Sequence, residues 1–441
     1  MTCRSVFFIA STLLAFSLGC DSGKPADPYG PDATAEDFAE LRLSLTVNDP
    51  RVKDELERLQ NKQELPVQLA EAYRARTEPT SGEQIVKFLR GRDPDYIDAA
   101  LTETAHWWDI KSPGRELLID AQGRDFLKKW NVQRTAARAV LLQPRARFPV
   151  EMEQGTFADP TWIGTMHCLA RAELLEAASQ ASQNNMSEAV TAAAYALAYA
   201  DQLNQAPSLA ARNAAVAIRE ETFVTLRALM RHPQFSGDSQ RTLETVLQQT
   251  VQAWPSDAEL WKADRAFGLH FLEVIRSGNF ASVLTREEYD AMMASGEFGM
   301  LQSKIMRSLT MDQAFYLDAM RDVVESSEKP YHERAAGLFA ISDALNQAES
   351  SGSFPTISGE FLLSEIHARS AEFSKDKTRT IIWLTALQAA NGHPPAAMPI
   401  SDFSGKPIVI QEEPGRVIAS FEGLPGEIPN LEVRKLPLNE N

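Results

Sequence analysis

Residues 185–203 read NMSEAVTAAAYALAYADQL, and this stretch decides the fold of the chain. An apolar set recurs within it at the i, i+3, i+4, i+7 spacing that places side chains on one face of an α-helix. That set comprises Val190, Ala193, Ala194, Leu197 and Ala198. Because most of these side chains are small, a neighbouring helix can approach closely. The stretch therefore predicts a helix that packs against other helices.

Helical patterns continue on both sides of this stretch. Asn184 and Asn185 mark a turn after the alanine- and leucine-rich segment 163–182, Pro207 ends the central helix, and residues 208–231 contain neither proline nor glycine. Short breaks between long helices imply antiparallel neighbours. Further helices are predicted at 50–59, 65–76, 82–90, 237–253, 257–277, 330–349, 359–374 and 377–390. We expect an all-α fold of stacked antiparallel αα-hairpins.

Two capping-box pairs predict helix starts in the second half of the chain. Thr285 with Glu288, and Thr310 with Gln313, have the spacing in which each side chain satisfies the other residue's free amide. The second pair would begin a helix whose buried stripe holds Leu317, Met320 and Val324.

The alternating helices of 163–231 resemble a tetratricopeptide array in their architecture. The resemblance rests mainly on residues 185–203 and covers about a quarter of the chain. No 34-residue period recurs, so the array is irregular. The resemblance implies stacked helix pairs, which commonly offer a concave surface to a protein partner.

The last fifty residues differ in character from the rest. The runs KPIVIQ (406–411) and RVIASF (416–421) flank a turn at 412–415 and predict a small β-hairpin. We therefore divide the mature chain into a helical domain, 37–392, and a C-terminal β-hairpin segment with its tail, 393–441.

The motif Asp402-Phe403-x-Gly405-x-Pro407 lies just before these runs. With its flanks, roughly 376–423, it resembles a segment of uncharacterised secreted helical proteins of bacteria, and more weakly the tail of type II secretion pseudopilins. In pseudopilins an acidic loop after the strands binds calcium. The corresponding loop here, EGLPGEIPNLE, lacks the Asp-Gly pair of that loop.

The N-terminus has the order of an export signal. Residues 6–18 (VFFIASTLLAFSL) form an uncharged run behind Arg4. A bilayer-spanning helix needs about 20 apolar residues, so this run matches the core of a cleaved signal peptide. Ser17-Leu18-Gly19-Cys20 resembles the bacterial lipoprotein signal, which implies a signal peptide at 1–19 and acylation of Cys20. An ordinary secreted protein, an uncleaved anchor and a cytosolic chain are the alternatives.

Residues 21–36 are rich in Pro, Gly, Asp and Ser, so 20–36 would be a lipidated cysteine with a flexible linker. This places the protein in the bacterial cell envelope, outside the cytoplasm, and makes the membrane a partner through the anchor. Cys168 is then the one free thiol of the mature chain, and its apolar helical surroundings predict an inert core residue. A net charge of −16 without a basic stripe argues against nucleic-acid binding.

Few residues suggest chemistry. His106, Trp107, Trp108 and Asp109 form the best polar and aromatic cluster, a possible ligand patch, although an interfacial aromatic patch is the simpler interpretation. Ser374 and Lys377 have the S-x-x-K spacing of penicillin-recognising enzymes, but no S-D-N or K-T-G partner occurs. We predict no catalytic residues, no metal site and no cofactor.

Three functions remain open. The sequence favours a non-enzymatic helical scaffold that binds an envelope protein. A glycan- or solute-binding lipoprotein is the first alternative, and its aromatic contacts would come from Trp107, Trp108, Trp130, Trp162, Trp254 and Trp261. An envelope hydrolase is the second.

Overall fold

The computed structural model describes residues 49–77, 94–105, 119–141, 147–148, 150–284, 286–420 and 430–436. Within these ranges the chain forms α-helices throughout and a small sheet at the C-terminal end. The helices are α1 (Pro50–Asn61), α2 (Pro66–Arg76), α3 (Pro94–Thr104), α4 (Ala121–Leu141), α5 (Thr161–Ser182), α6 (Met186–Gln205), α7 (Leu209–Arg231), α8 (Gly237–Gln252), α9 (Asp257–Arg276), α10 (Arg286–Ser295), α11 (Glu297–Ser326), α12 (Tyr331–Ser350) and α13 (Ile366–Ala390). Two 3₁₀ segments, Met152–Phe157 and Phe280–Val283, and one π-helical turn, Ser358–Leu362, complete the helical elements.

The stack of α5, α6 and α7 is the centre of the helical array. Three residues separate α5 from α6, and three separate α6 from α7, so consecutive helices run antiparallel and pack along their lengths. The prediction of an all-α fold built from stacked αα-hairpins is confirmed.

Helix α6 is buried on more than the one predicted face. In addition to Val190, Ala193 and Leu197, the residues Ala196 and Ala200 are fully buried. The cause is that α6 contacts α4 and α8 as well as α5 and α7. Its alanines therefore serve close packing on several sides.

Three predicted helix boundaries are wrong. The helix predicted from residue 359 begins at Ile366, after the π-helical turn Ser358–Leu362. Thr310 lies inside α11, where the buried Ile305 and Leu309 continue the apolar face toward the N-terminus, so no new helix starts there. Likewise α13 runs unbroken through Ser374 and Lys377. A capping-box pattern and a polar run are both compatible with a helix interior when neighbouring turns are buried. Thr285 and the predicted helix 82–90 lie outside the described residues.

The C-terminal segment forms β1 (Val409–Glu413), β2 (Arg416–Ser420) and β3 (Leu431–Arg434) in an antiparallel sheet of order β1-β2-β3. The predicted hairpin is present, with Gln411 opposite Ile418, and β3 is an additional strand. Val417 and Val433, paired in register, are buried where β2 and β3 pack against α13. The sheet therefore covers one side of this helix.

Buried charges join the middle of the array. Arg219 of α7 donates to Asp376 of α13 at 2.6 Å and 2.8 Å, and both side chains are fully buried. Arg212, one heptad earlier on α7, pairs at 2.6 Å with Asp257 of α9, which also binds Arg334 of α12. We name this set the buried arginine network; its members are Arg212, Arg219, Arg334, Asp201, Asn204, Asp257 and Asp376.

Replacing Asp376 with Ala should lower the free energy of unfolding by about 3–5 kcal/mol, because the buried Arg219 would lose its nearest counter-charge and keep only the longer contact with Asp201, at 3.5 Å. Urea denaturation of the full-length protein measures this loss. Replacing both partners by apolar residues, Arg219→Met with Asp376→Leu, should recover much of it. Glu57→Ala, which breaks the exposed Lys53–Glu57 pair, is the control and should leave the midpoint nearly unchanged. If Asp376→Ala and Glu57→Ala unfold at the same urea concentration, the buried pair is dispensable for stability.

Candidate functional site

A cavity of about 590 Å³, partly open to solvent, lies among α5, α7, α9 and α13. One face of α9 supplies Trp261, Asp264, Gly268 and Phe271, whose spacing of three, four and three residues keeps them on the same side of the helix. The volume of the cavity is within the usual range for small-molecule sites.

The other walls come from helix ends and from the irregular segments. The first turns of α5, α7 and α13 contribute residues, as do the 3₁₀ segment Met152–Phe157 and the π-helical turn Ser358–Leu362. Gly155 of the 3₁₀ segment has φ +51°, and a side chain there would overlap the imidazole of His270. The glycine therefore lets this segment lie close against α9.

Aromatic side chains form much of the lining. They are Phe157, Trp162, Trp261, Phe267, Phe271 and Phe361. Phe271 packs against Phe361 with ring centroids 5.9 Å apart, and Trp162 stacks on Phe148 at 5.3 Å. The indole N–H of Trp261 is buried and has no hydrogen-bond acceptor within the part of the chain that the structure describes.

Asp264 is the most unusual polar group of the cavity. Burial raises the pKa of this carboxyl to about 7, against a smaller opposing effect of the nearby Arg369 guanidinium. No described side chain donates a hydrogen bond to it. Tyr316 donates instead to the backbone carbonyl of Asp264, at 3.3 Å. A substituent on Gly268, one turn further along α9, would overlap the Tyr316 hydroxyl, so glycine permits this contact.

The cavity lining carries further charges. Asp159, Glu288, Glu365 and Glu372 line the cavity together with a single cation, Arg369. Arg369 reaches Glu365 at 3.4 Å. The lining as a whole is therefore both aromatic and acidic.

The ligand patch expected from the sequence, His106, Trp107, Trp108 and Asp109, lies outside the described residues, as does Cys20. Trp130, Trp162 and Trp261 are all buried. Trp254, the other described member of the predicted set, is half-buried under Arg212 and Arg219. Only Trp162 and Trp261 of the set line the cavity, so the described members do not form an exposed sugar-binding face. Cys168 is buried, as predicted.

The sequence analysis missed Asp264, although a signal was present. The stretch WKADRAFGLHF (261–271) carries a charged residue and a glycine on an otherwise apolar helical face. A buried carboxylate needs a partner or a ligand, so a polar position on a core-facing stripe is worth attention.

The S-x-x-K pair has a structural role. Ser374 donates to one oxygen of Asp402 at 2.6 Å, and Lys377 donates to the other at 3.0 Å. Phe403 stacks on Tyr331 with centroids 5.2 Å apart. The Asp402–Pro407 motif therefore attaches the C-terminal segment to α12 and α13, as a polar junction between elements.

No protein-family model, curated protein or solved structure matches the chain significantly. Across the described ranges no helix is long and apolar enough to cross a membrane. The same residues contain no cluster of three or more histidine, cysteine or acidic side chains suited to a metal ion.

Asp264→Asn should stabilise the protein at pH 8 more than at pH 5. An aspartate in an unfolded chain titrates near 3.9, whereas in the fold this one titrates at about 7. Its contribution to stability is therefore complete below pH 4 and is lost as the pH rises through 7. Thermal unfolding at both pH values measures the difference from wild type. Asp343→Asn, at an exposed position, is the control. If the difference in melting temperature between Asp264→Asn and wild type is the same at both pH values, the raised pKa of Asp264 is contradicted.

Proposed function

We propose that this protein is a lipid-anchored binding protein of the bacterial cell envelope that holds a small organic solute in the cavity on α9. The cavity is the observation that carries the proposal. It combines aromatic walls with one carboxylate, Asp264, that the described fold leaves without a hydrogen-bond donor. Apolar walls with few placed polar groups are typical of small-molecule sites.

The rigidity of the walls supports binding. Trp261 packs against Phe373 with centroids 6.3 Å apart, and Arg212 of the buried arginine network lies over the same Phe373 ring at 5.4 Å. A preformed cavity avoids the entropy cost of ordering its walls around a ligand. The partner-binding scaffold favoured by the sequence and the envelope hydrolase stay predictions.

The cavity can be tested with tryptophol, a neutral indole alcohol, as the probe. Equilibrium dialysis against the full-length protein in detergent, with detergent alone as the blank, should show saturable uptake with a Kd below about 1 mM. Ala210→Phe projects added volume from the first turn of α7 into the cavity and should weaken uptake by about tenfold. Ala340→Phe, on an exposed face of α12, is the matched control and should bind as wild type does. No uptake above the blank, or equal uptake by the Ala210→Phe variant, would overturn the proposed site.

The anchor is tested separately. Mass spectrometry of the protein purified from a bacterial membrane should find an N-terminal, acylated Cys20 and no residues 1–19. Stable anchoring requires more than one acyl chain, so Cys20→Ser should move the protein into the soluble fraction. An unmodified thiol at Cys20, or an N-terminus that still begins at Met1, would contradict the lipoprotein assignment.

A further inference from the structure

The charges that line the cavity are unequal. Five carboxylates and one guanidinium contribute to it: Asp159, Asp264, Glu288, Glu365, Glu372 and Arg369. Arg369 is already engaged by Glu365, so its charge is partly compensated within the protein. Clefts with one sign of charge and low-dielectric walls concentrate ligands of the opposite sign.

Asp264 has the strongest requirement for a positive partner. It is half-buried among the aromatic side chains of the lining, where desolvation disfavours the ionised carboxylate unless a charged donor reaches it. The protein itself provides only the Coulomb effect of Arg369, without a hydrogen bond from the described side chains. A ligand that carries an N–H donor and a positive charge would satisfy this group.

The aromatic walls suit the same ligand. Trp261 precedes Asp264 by one turn on the same face of α9, and Phe267 and Phe271 follow it. The faces of such rings attract cations at short range, and more strongly where water is excluded. The rings would also bury an apolar body attached to the cation.

An anionic ligand is the main competitor, because three helices begin at the cavity and the N-terminal end of a helix attracts negative charge. The chain itself places a carboxylate or a hydroxyl at each of these ends. Asp159 accepts from the Thr161 amide of α5 at 2.9 Å, and Ser208 accepts from the Ala211 amide of α7 at 3.4 Å. Glu365 is the residue that immediately precedes α13. These contacts reduce the attraction for an outside anion.

We propose that the solute is an organic cation, an ammonium group on an aromatic or aliphatic body, whose nitrogen binds the Asp264 carboxylate. This inference rests on the proposed function of the cavity. It adds the charge of the ligand and the residue that recognises that charge.

Three probes with the same indole body separate the possibilities. They are tryptamine, a cation, tryptophol, which is neutral, and indole-3-acetate, an anion. Equilibrium dialysis at pH 8 with the full-length protein should give tryptamine an affinity at least about tenfold above that of tryptophol, with indole-3-acetate weakest. Asp264→Asn should remove most of the preference for tryptamine while tryptophol still binds. Glu273→Gln is the matched control, because burial also raises the pKa of Glu273, on the same helix, yet this residue lies outside the cavity lining and outside the buried arginine network.

The preference for tryptamine should also grow about tenfold between pH 6 and pH 8, as Asp264 ionises. The groups that face Asp264 or share its cavity are Asp159, Glu288, Tyr316, Glu365, Arg369 and Glu372. Burial holds the pKa of Tyr316 well above its ordinary value, so this hydroxyl stays protonated over that range. In the Asp264→Asn variant the preference should be independent of pH, which assigns the change to this carboxyl.

The outcomes are distinguishable. If none of the three probes binds, the proposed function itself is wrong. If all three bind equally, or indole-3-acetate binds best, the cavity takes a solute but the cation assignment is wrong. A preference for tryptamine that persists in Asp264→Asn would overturn the role of this residue.

Discussion

The buried ion pair between Arg219 and Asp376 is the constraint on which the rest of the structure depends. Neither side chain reaches solvent, so each charge is tolerable only while the other stays in place. The pair joins α7 to α13, and the Arg212–Asp257 ion pair joins α7 to α9 in the same way. Trp254 lies beneath both arginines, with guanidinium-to-ring distances of 4.7 Å and 5.4 Å. These contacts therefore connect helices that are far apart in the sequence.

The buried arginine network and the cavity share three helices, α7, α9 and α13. On α9 Asp257 lies one turn before Trp261, and on α13 Asp376 lies one turn after Glu372. A charged network specifies a single arrangement more narrowly than apolar contacts do, because shifting a helix would separate the charges. The walls of the cavity are therefore positioned by contacts outside it, while no described side chain donates a hydrogen bond to Asp264.

The C-terminal segment shows how a sequence motif can mislead about chemistry. Ser374 and Lys377 have a spacing known from nucleophilic enzymes, yet both bind the Asp402 carboxylate. Phe403 fills the adjacent space against Tyr331. The spacing places both side chains on one face of α13, and the partner on that face, an acidic side chain from a distant loop, decides their role.

Local sequence patterns predicted most helices of the array, the burial of Cys168 and the two β-strands of the hairpin, because these depend on local spacing, breaks and side-chain character. The sequence prediction failed at Thr310 and at 374–377. There the helix continues through a local start or stop signal because the neighbouring turns are buried. Only the tertiary structure decided which helix faces meet, where the cavity lies and why Asp264 holds its proton near neutral pH. The physical reason is that helix formation depends on neighbours in the chain, whereas desolvation and charge pairing depend on residues far apart in it.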